Sequence, residues 1–293
     1  MRLTKKKIIG IINSIIDNIM LLIFLSIFVF GCYALWDSHQ VLNEASSTQY
    51  TVYKPTPEDN RSFEEFQNIN PEVFGWLNIY GTHIDYPVVQ ADNNEKYLNT
   101  SADGEYSLSG SIYLDYRNDK HLEDFNSIFY GHHMEGNALF GEIGSFKDKN
   151  YFNTRKYGTL YVDNKTYGLD FFAFLEVDAY DTSIYDISIH DKQSYLDLLK
   201  NNAMYYRDIG VNTQDHIILL STCTSDMTNG RHILVARLSD TVHENTFIDE
   251  DDTKNINFSS SYTWYIIPII ILIIVIISLY KRMQRKEELW AVY

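Results

Sequence analysis

Cysteine is almost missing from this chain: of 293 residues only Cys32 and Cys223 carry a thiol. Cys32 lies inside a long apolar stretch and Cys223 does not, which argues against a structural disulfide and leaves Cys223 as an unpaired thiol that suggests chemistry. Positive charge is scarce as well. Twenty-four Lys and Arg stand against 39 Asp and Glu, a net charge of −15, so nucleic acid is not expected as a partner. Charge of either sign is absent from two stretches, Ile19 to Trp36 and Tyr262 to Tyr280. There is no internal repeat and no low-complexity tract.

Each uncharged stretch is close to the roughly 20 residues that cross a bilayer as a helix. The first follows Arg2, Lys5, Lys6 and Lys7; the second is edged by Trp264, Tyr265 and Tyr280 and meets Lys281, Arg282, Arg285 and Lys286. These flanks predict a protein of the cell membrane with two spans, both termini cytoplasmic and about residues 37–261 outside. A cleaved signal peptide is the alternative for the first run, but no A-x-A-like site follows Trp36. Val29-Phe30-Gly31-Cys32 only faintly resembles a lipoprotein processing site, because Phe30 suits it poorly. The ends hold eight of the 24 basic and three of the 39 acidic residues, leaving 16 against 36 between them, about −20. A solvated acidic surface is the reading of that excess. The expected order is a tail and first span (1–36), a helical stalk (37–70), a compact domain (71–240), an acidic linker (241–261), a second span (262–280) and a tail (281–293).

Within the compact domain short apolar runs recur between turn signals. They are Phe74 to Tyr80, His83 to Gln90, Ser111 to Tyr116, Ser127 to Tyr130, Thr159 to Val162, Leu169 to Val177, His216 to Thr222 and His232 to Leu238. Aromatic and β-branched residues dominate them, which predicts a mainly β domain of about eight strands closed into a barrel or sandwich. One interruption is helical: Asp191 to Tyr206 carries Tyr195, Leu198, Leu199 and Ala203 at near-helical spacing. In the stalk, a run opened by Pro57 and Glu58 carries Phe63 and Phe66 at helical spacing.

The last two strands are joined by a short polar loop whose Asn229-Gly230 signals a turn. Paired as an antiparallel hairpin, they set Cys223 opposite Arg231 at about 5 Å. A cation there favours thiolate and can hold an acyl oxygen as charge develops on it. An inert core cysteine and a surface arginine are the bland alternatives. Tyr130-Gly131-His132-His133 ends another strand, and a histidine at that rim suits proton transfer near neutrality. A solvated or core histidine is the competing reading. A metal is not expected, because neither a zinc-ligand spacing nor a second cysteine accompanies the histidine pair.

Tyr130-Gly131-His132, then Leu220-Ser221-Thr222-Cys223 and Gly230-Arg231, resemble the His, TLXTC and Arg signature of sortases, with Leu219 where that motif usually has Thr. The blocks Asn70 to Leu77, Ile84 to Gln90 and Gly110 to Asn118 are similar to those of class B sortases, over roughly residues 64–240. The resemblance implies an eight-stranded sortase barrel with peripheral helices, flanked here by the two expected transmembrane helices. It implies a thiol transpeptidase without cofactor: Cys223 as nucleophile, His132 as general acid then base, Arg231 binding the substrate backbone and the oxyanion. By position, Asn94, Leu98, Tyr130 and Ser221 are candidates for the peptide groove. The implied substrates are surface proteins or pilins carrying a sorting signal, and the acceptor is an amine of peptidoglycan or its precursor, or a pilin lysine. A second, carboxyl-terminal span departs from the class B pattern and is common in pilus-building class C enzymes, yet their Asp-Pro-aromatic lid motif is absent from residues 37–70. Wall attachment is therefore the first expectation, pilin polymerisation the alternative, and a non-catalytic membrane-tethered scaffold the third.

Overall fold

The computed structural model describes residues 4–56, 59–223 and 229–247. Described residues up to Asp37 belong to one unit and those from Ser38 onward to a second. The first unit is the body of helix α1 (Lys5–Glu44), which buries no side chain. Its apolar residues lie on all sides rather than along one stripe, the pattern of a helix whose surroundings are themselves apolar. Among the described residues α1 alone is long and apolar enough to cross a membrane, with a window of mean hydropathy 2.5. That length and composition are shared by membrane anchors and signal sequences. The second expected span, 262–280, lies outside the described residues, as do the tail after it and the linker beyond 247.

Among its described residues the second unit is built on nine strands: β1 (Val73–Ile79), β2 (Asp85–Val89), β3 (Ile112–Leu114), β4 (Asn126–Tyr130), β5 (Tyr157–Val162), β6 (Lys165–Asp178), β7 (Ala203–Tyr206), β8 (His216–Cys223) and β9 (Gly230–Ser239). Their order is β5-β1-β2-β3-β4-β8-β9-β6, and β6 pairs back onto β5, closing an eight-stranded barrel. The pairs β2–β3 and β4–β8 are parallel. Helices α2 (Arg61–Ile69), α3 (Lys149–Thr154) and α4 (Lys192–Asn202) lie among the strands.

All eight expected strands are present, and β7 is an addition. The helix expected over Asp191–Tyr206 stops at Asn202, because β6 pairs with β5 only as far as Asp170 and leaves an open edge beyond it. Ala203, Tyr205 and Tyr206 fill that edge opposite Leu175, Phe174 and Ala173. A tyrosine pair at an unpaired ladder favours strand over one more helical turn.

Strand β8 is nearly continuous in apolar residues because both of its faces are covered. Ile218 and Leu220 point into the barrel with Leu234, Ala236 and Phe174. Ile217 and Leu219 lie on the outer side with Ile233 and Val235, under Tyr195, Leu196 and Leu199 of α4. Asp191 starts that helix by accepting the Ser194 amide at 3.0 Å, which satisfies one of its orphan donors. The segment expected as a stalk contributes to the same core: Phe63 and Phe66 are buried, and Tyr53 stacks on Phe66 with ring centres 4.5 Å apart. Past β9 the chain turns back over the barrel, where the His243 ring stacks on Tyr157 at 3.8 Å and its carbonyl accepts the Tyr80 hydroxyl at 3.1 Å.

Candidate active site

Strands β8 and β9 pair antiparallel from His216↔Leu238 to Cys223↔Arg231, so the thiol and the guanidinium are direct cross-strand neighbours at one end of the barrel. Alternation along β8 sends Leu220 and Thr222 inward and turns Ser221 and Cys223 to the outer face. The same alternation on β9 puts Leu234 and His232 inside and Arg231 outside. Cys223 is exposed, while Thr222 and His232 are buried. Asn229 adopts φ 60° in the turn entering β9, a conformation asparagine tolerates well. Arg231 makes no ion pair among the described residues; Nη1 donates to the Gly230 carbonyl at 3.1 Å, leaving most of its donors free.

Parallel pairing of β4 with β8 sets Tyr130 beside Ser221, and Gly131 continues the ladder by donating to the Ser221 carbonyl at 3.2 Å. His132 follows at the same barrel end as Cys223. A Cβ on Gly131 would come within 2.8 Å of the Phe140 ring, so glycine is what lets the chain pass there. The His132 ring is held by its Nε2, 2.9 Å from the Leu98 carbonyl. A carbonyl can only accept, so Nε2 carries the hydrogen and Nδ1 is the nitrogen left to exchange a proton. The backbone on either side is pinned by the Phe140 amide, which donates to the His132 carbonyl at 3.1 Å. His133 beside it is exposed.

A cleft of about 580 Å³ opens on this face, lined by Arg231, Arg117, Tyr130, Tyr185 and Asp186. Its wall is aromatic: Tyr130 lies between Tyr113 and Tyr185, with ring centres 5.5 and 6.2 Å away. Burial pushes the phenols of Tyr113 and Tyr185 up to about 12, so both stay neutral donors. Beneath them Asp115, fully buried, accepts Arg117 Nε at 2.9 Å, Arg117 Nη2 at 2.8 Å and the Tyr130 hydroxyl at 3.1 Å. Burial raises the Asp115 carboxyl, but the hydrogen bonds and charge of Arg117 outweigh it and hold the group below its ordinary value. No cluster of metal-ligating side chains is found among the described residues.

The sortase domain matches residues 77–239. The chain belongs to the sortase family. A sortase B from Listeria monocytogenes serovar 1/2a is 29% identical over 245 residues, covering 78% of this chain and 98% of that one. The crystal structure of sortase B from the type II pilus of Streptococcus pneumoniae is 47% identical, with a TM-score of 0.54 over 61% of this chain and 99% of that one. A Streptococcus pyogenes class B sortase involved in pilus biogenesis is 39% identical, with a TM-score of 0.57 over 60% and 97%. The protein is thus a class B-like sortase, a cysteine transpeptidase.

In this sortase Cys223, Arg231 and His132 gather at one end of the barrel. The four groove candidates are more varied. Tyr130 lines the cleft and Leu98 holds His132 through its carbonyl. Asn94 accepts the Tyr116 amide at 3.0 Å and so braces the turn carrying Arg117. Ser221 is 1% exposed and its Oγ lies 3.0 Å from the Tyr185 hydroxyl, so it positions that ring rather than offering a free hydroxyl. Sequence reasoning passed over Tyr185 and Arg117. Arg117 stands in the Gly110 to Asn118 block; Tyr185 sits in an irregular loop between β6 and α4, where no period marks it.

Proposed function

We propose that this sortase cleaves a carboxyl-terminal sorting signal of secreted proteins through a thioacyl intermediate on Cys223 and passes the acyl group to an amine. The observation that carries the reading is the cross-strand pairing of an exposed Cys223 with an Arg231 that has no ion pair among the described residues, beside a His132 whose Nε2 is committed to a carbonyl. The Cys223 thiolate attacks the scissile carbonyl, and Arg231 holds the oxyanion. His132, which has taken the thiol proton on Nδ1, gives it to the leaving amine as the C–N bond breaks. Neutral His132 then takes a proton from the acceptor amine as that amine attacks the thioester, and the thiolate is released. Tyr130 and Leu98 border the peptide on this reading, with Asn94 and Ser221 behind the wall.

The acceptor is read as a side-chain amine of a pilus subunit. Two similar enzymes, one from a type II pilus and one involved in pilus biogenesis, support that choice over wall attachment. Helix α1 serves as a membrane anchor holding the catalytic unit outside, where both kinds of acceptor are found. The test is Cys223→Ala: it should leave the fold intact, abolish cleavage of a sorting peptide and remove the thioacyl adduct seen by mass spectrometry. Cleavage within about tenfold of the parent, only about 1.4 kcal/mol of barrier, would overturn the mechanism. For the acceptor, deleting the gene should remove a covalent high-molecular-weight ladder of surface protein. Shedding of monomeric surface protein with the ladder intact would favour the wall instead.

A further inference from the structure

The opposite end of the barrel carries a second site that the transpeptidase reaction does not use. Arg237 pairs with Ile217, six residues before Cys223 on β8, so it lies about 20 Å along the strand from the thiol. A cavity of about 230 Å³ opens there, lined by Arg237, Arg207, Lys156, Tyr157, His243 and Asp170. In a chain of net charge −15 this is a concentration of cations. Asp170 is the one carboxylate in this lining among the described residues, already engaged by Arg237 Nη2 at 2.7 Å and by His243 Nε2 at 3.1 Å.

Arg207 is the residue that points to a ligand. Its guanidinium is half-buried over the Phe152 ring at 4.5 Å, and it donates to the carbonyls of Phe152, at 2.7 Å, and Phe171. No carboxylate pairs with it among the described residues, and burial pulls it below the ordinary guanidinium value. A desolvated cation left without a counter-charge is costly unless an anion completes it. Lys156, exposed and without an ion pair among the described residues, stands at the rim. Beyond the Tyr157–His243 stack a second cavity of about 510 Å³ shares Lys156, Tyr157 and His243 and is walled by Tyr80 and Phe247, leaving room for an organic substituent.

We propose that this cavity binds the anionic phosphate of a phosphate ester, with Arg207, Arg237 and Lys156 as its cationic donors and the His243 segment as its cover. Guanidinium forks match phosphate oxygens in geometry as well as charge. Two positive charges in excess of Asp170 match a phosphate better than a single carboxylate. The ester has two possible sources, a lipid headgroup or a soluble polyol phosphate, and the site does not depend on the transpeptidase reading.

The test uses the full chain in nanodiscs. In neutral phosphatidylcholine discs, calorimetric titration with glycerol phosphate reads the soluble source; native mass spectrometry of discs mixed with phosphatidylglycerol reads the lipid source. At least one should bind saturably, glycerol itself should not, and Lys156→Gln should weaken binding roughly tenfold, the loss of one charge-assisted contact. Arg207→Gln should weaken it further. If that variant fails to fold, the exposed Lys156 change still decides. Cys223→Ala should bind like the parent, which separates this site from the active site. Absence of saturable binding of either ester, or binding unchanged by Lys156→Gln, would overturn the proposal.

Discussion

Replacing Arg231 by lysine should remove the reaction and spare the fold, whereas replacing Arg237 should do the reverse. The Arg231 side chain makes one hydrogen bond among the described residues, to its neighbour's carbonyl, and no ion pair. Losing it should change stability by no more than about 0.5 kcal/mol, as at an ordinary surface position. Its part in the reaction needs a planar two-pronged donor that an ammonium cannot reproduce, so kcat/KM should fall by about 10²–10³, or about 3–4 kcal/mol of transition-state stabilisation. Arg237 reaches the buried Asp170 through Nε at 3.3 Å and Nη2 at 2.7 Å. Breaking that pair leaves a carboxylate whose side chain is 7% exposed with only His243 as an ion-pair partner among the described residues, so Arg237→Ala should cost about 3 kcal/mol. Arg237→Lys, which keeps the charge, should cost less. Urea melts report the second effect, and hydrolysis of a quenched sorting peptide reports the first. An Arg231→Lys enzyme within about tenfold of the parent, or equal rate losses from the two lysine variants, would refute the reasoning.

His132→Ala should lower kcat/KM by about 10²–10⁴, whereas His133→Ala, at an exposed ring, should leave it close to the parent in the same assay. Asp115 is held below its ordinary value by Arg117. The stability it contributes is therefore present above the unfolded carboxylate value near 3.9 and is lost as pH falls through the lower folded value. Urea midpoints should drop below about pH 4, and Asp115→Asn should flatten that drop while costing about 1–3 kcal/mol at pH 7; an unchanged pH profile would contradict the pairing. Tyr185→Phe removes the hydroxyl 3.0 Å from Ser221 Oγ and should cost about 1 kcal/mol of stability. It should raise KM for the sorting peptide more than it changes kcat.

The strands were legible because each is an aromatic and β-branched run between turn residues, and burial on both faces made β8 the plainest of them. Strand β7 was not, because Ala203 to Tyr206 continue a helical spacing and become strand only where β6 has an edge to offer. That edge is a tertiary fact with no local signal. The same holds for the segment 241–247: its composition reads as solvated linker, yet His243 finds Tyr157 and Asp170 on the barrel. At the active site the three principal residues were legible from motif and spacing. The Asp115–Arg117–Tyr130 network and Tyr185 were not, since they meet across β3, β4 and a loop without periodicity.

The orientation of the nucleophile follows from the same hydrophobic pattern that closes the barrel. Leu220 and Leu234 must face inward, and they are register partners on β8 and β9. Counting outward from that pair by the two-residue period places Thr222 and His232 inside and Cys223 and Arg231 outside, on the face bordered by the cleft. A one-residue slip of β8 would keep an apolar residue on each face, Leu219 inside and Leu220 beneath α4, but would carry Ser221 and Cys223 into the barrel. The apolar residues therefore do not choose the register alone. Polar Ser221 and the thiol at the strand end disfavour the slipped pairing, and in the native one Cys223 faces the only cation on the neighbouring strand end that no carboxylate neutralises among the described residues.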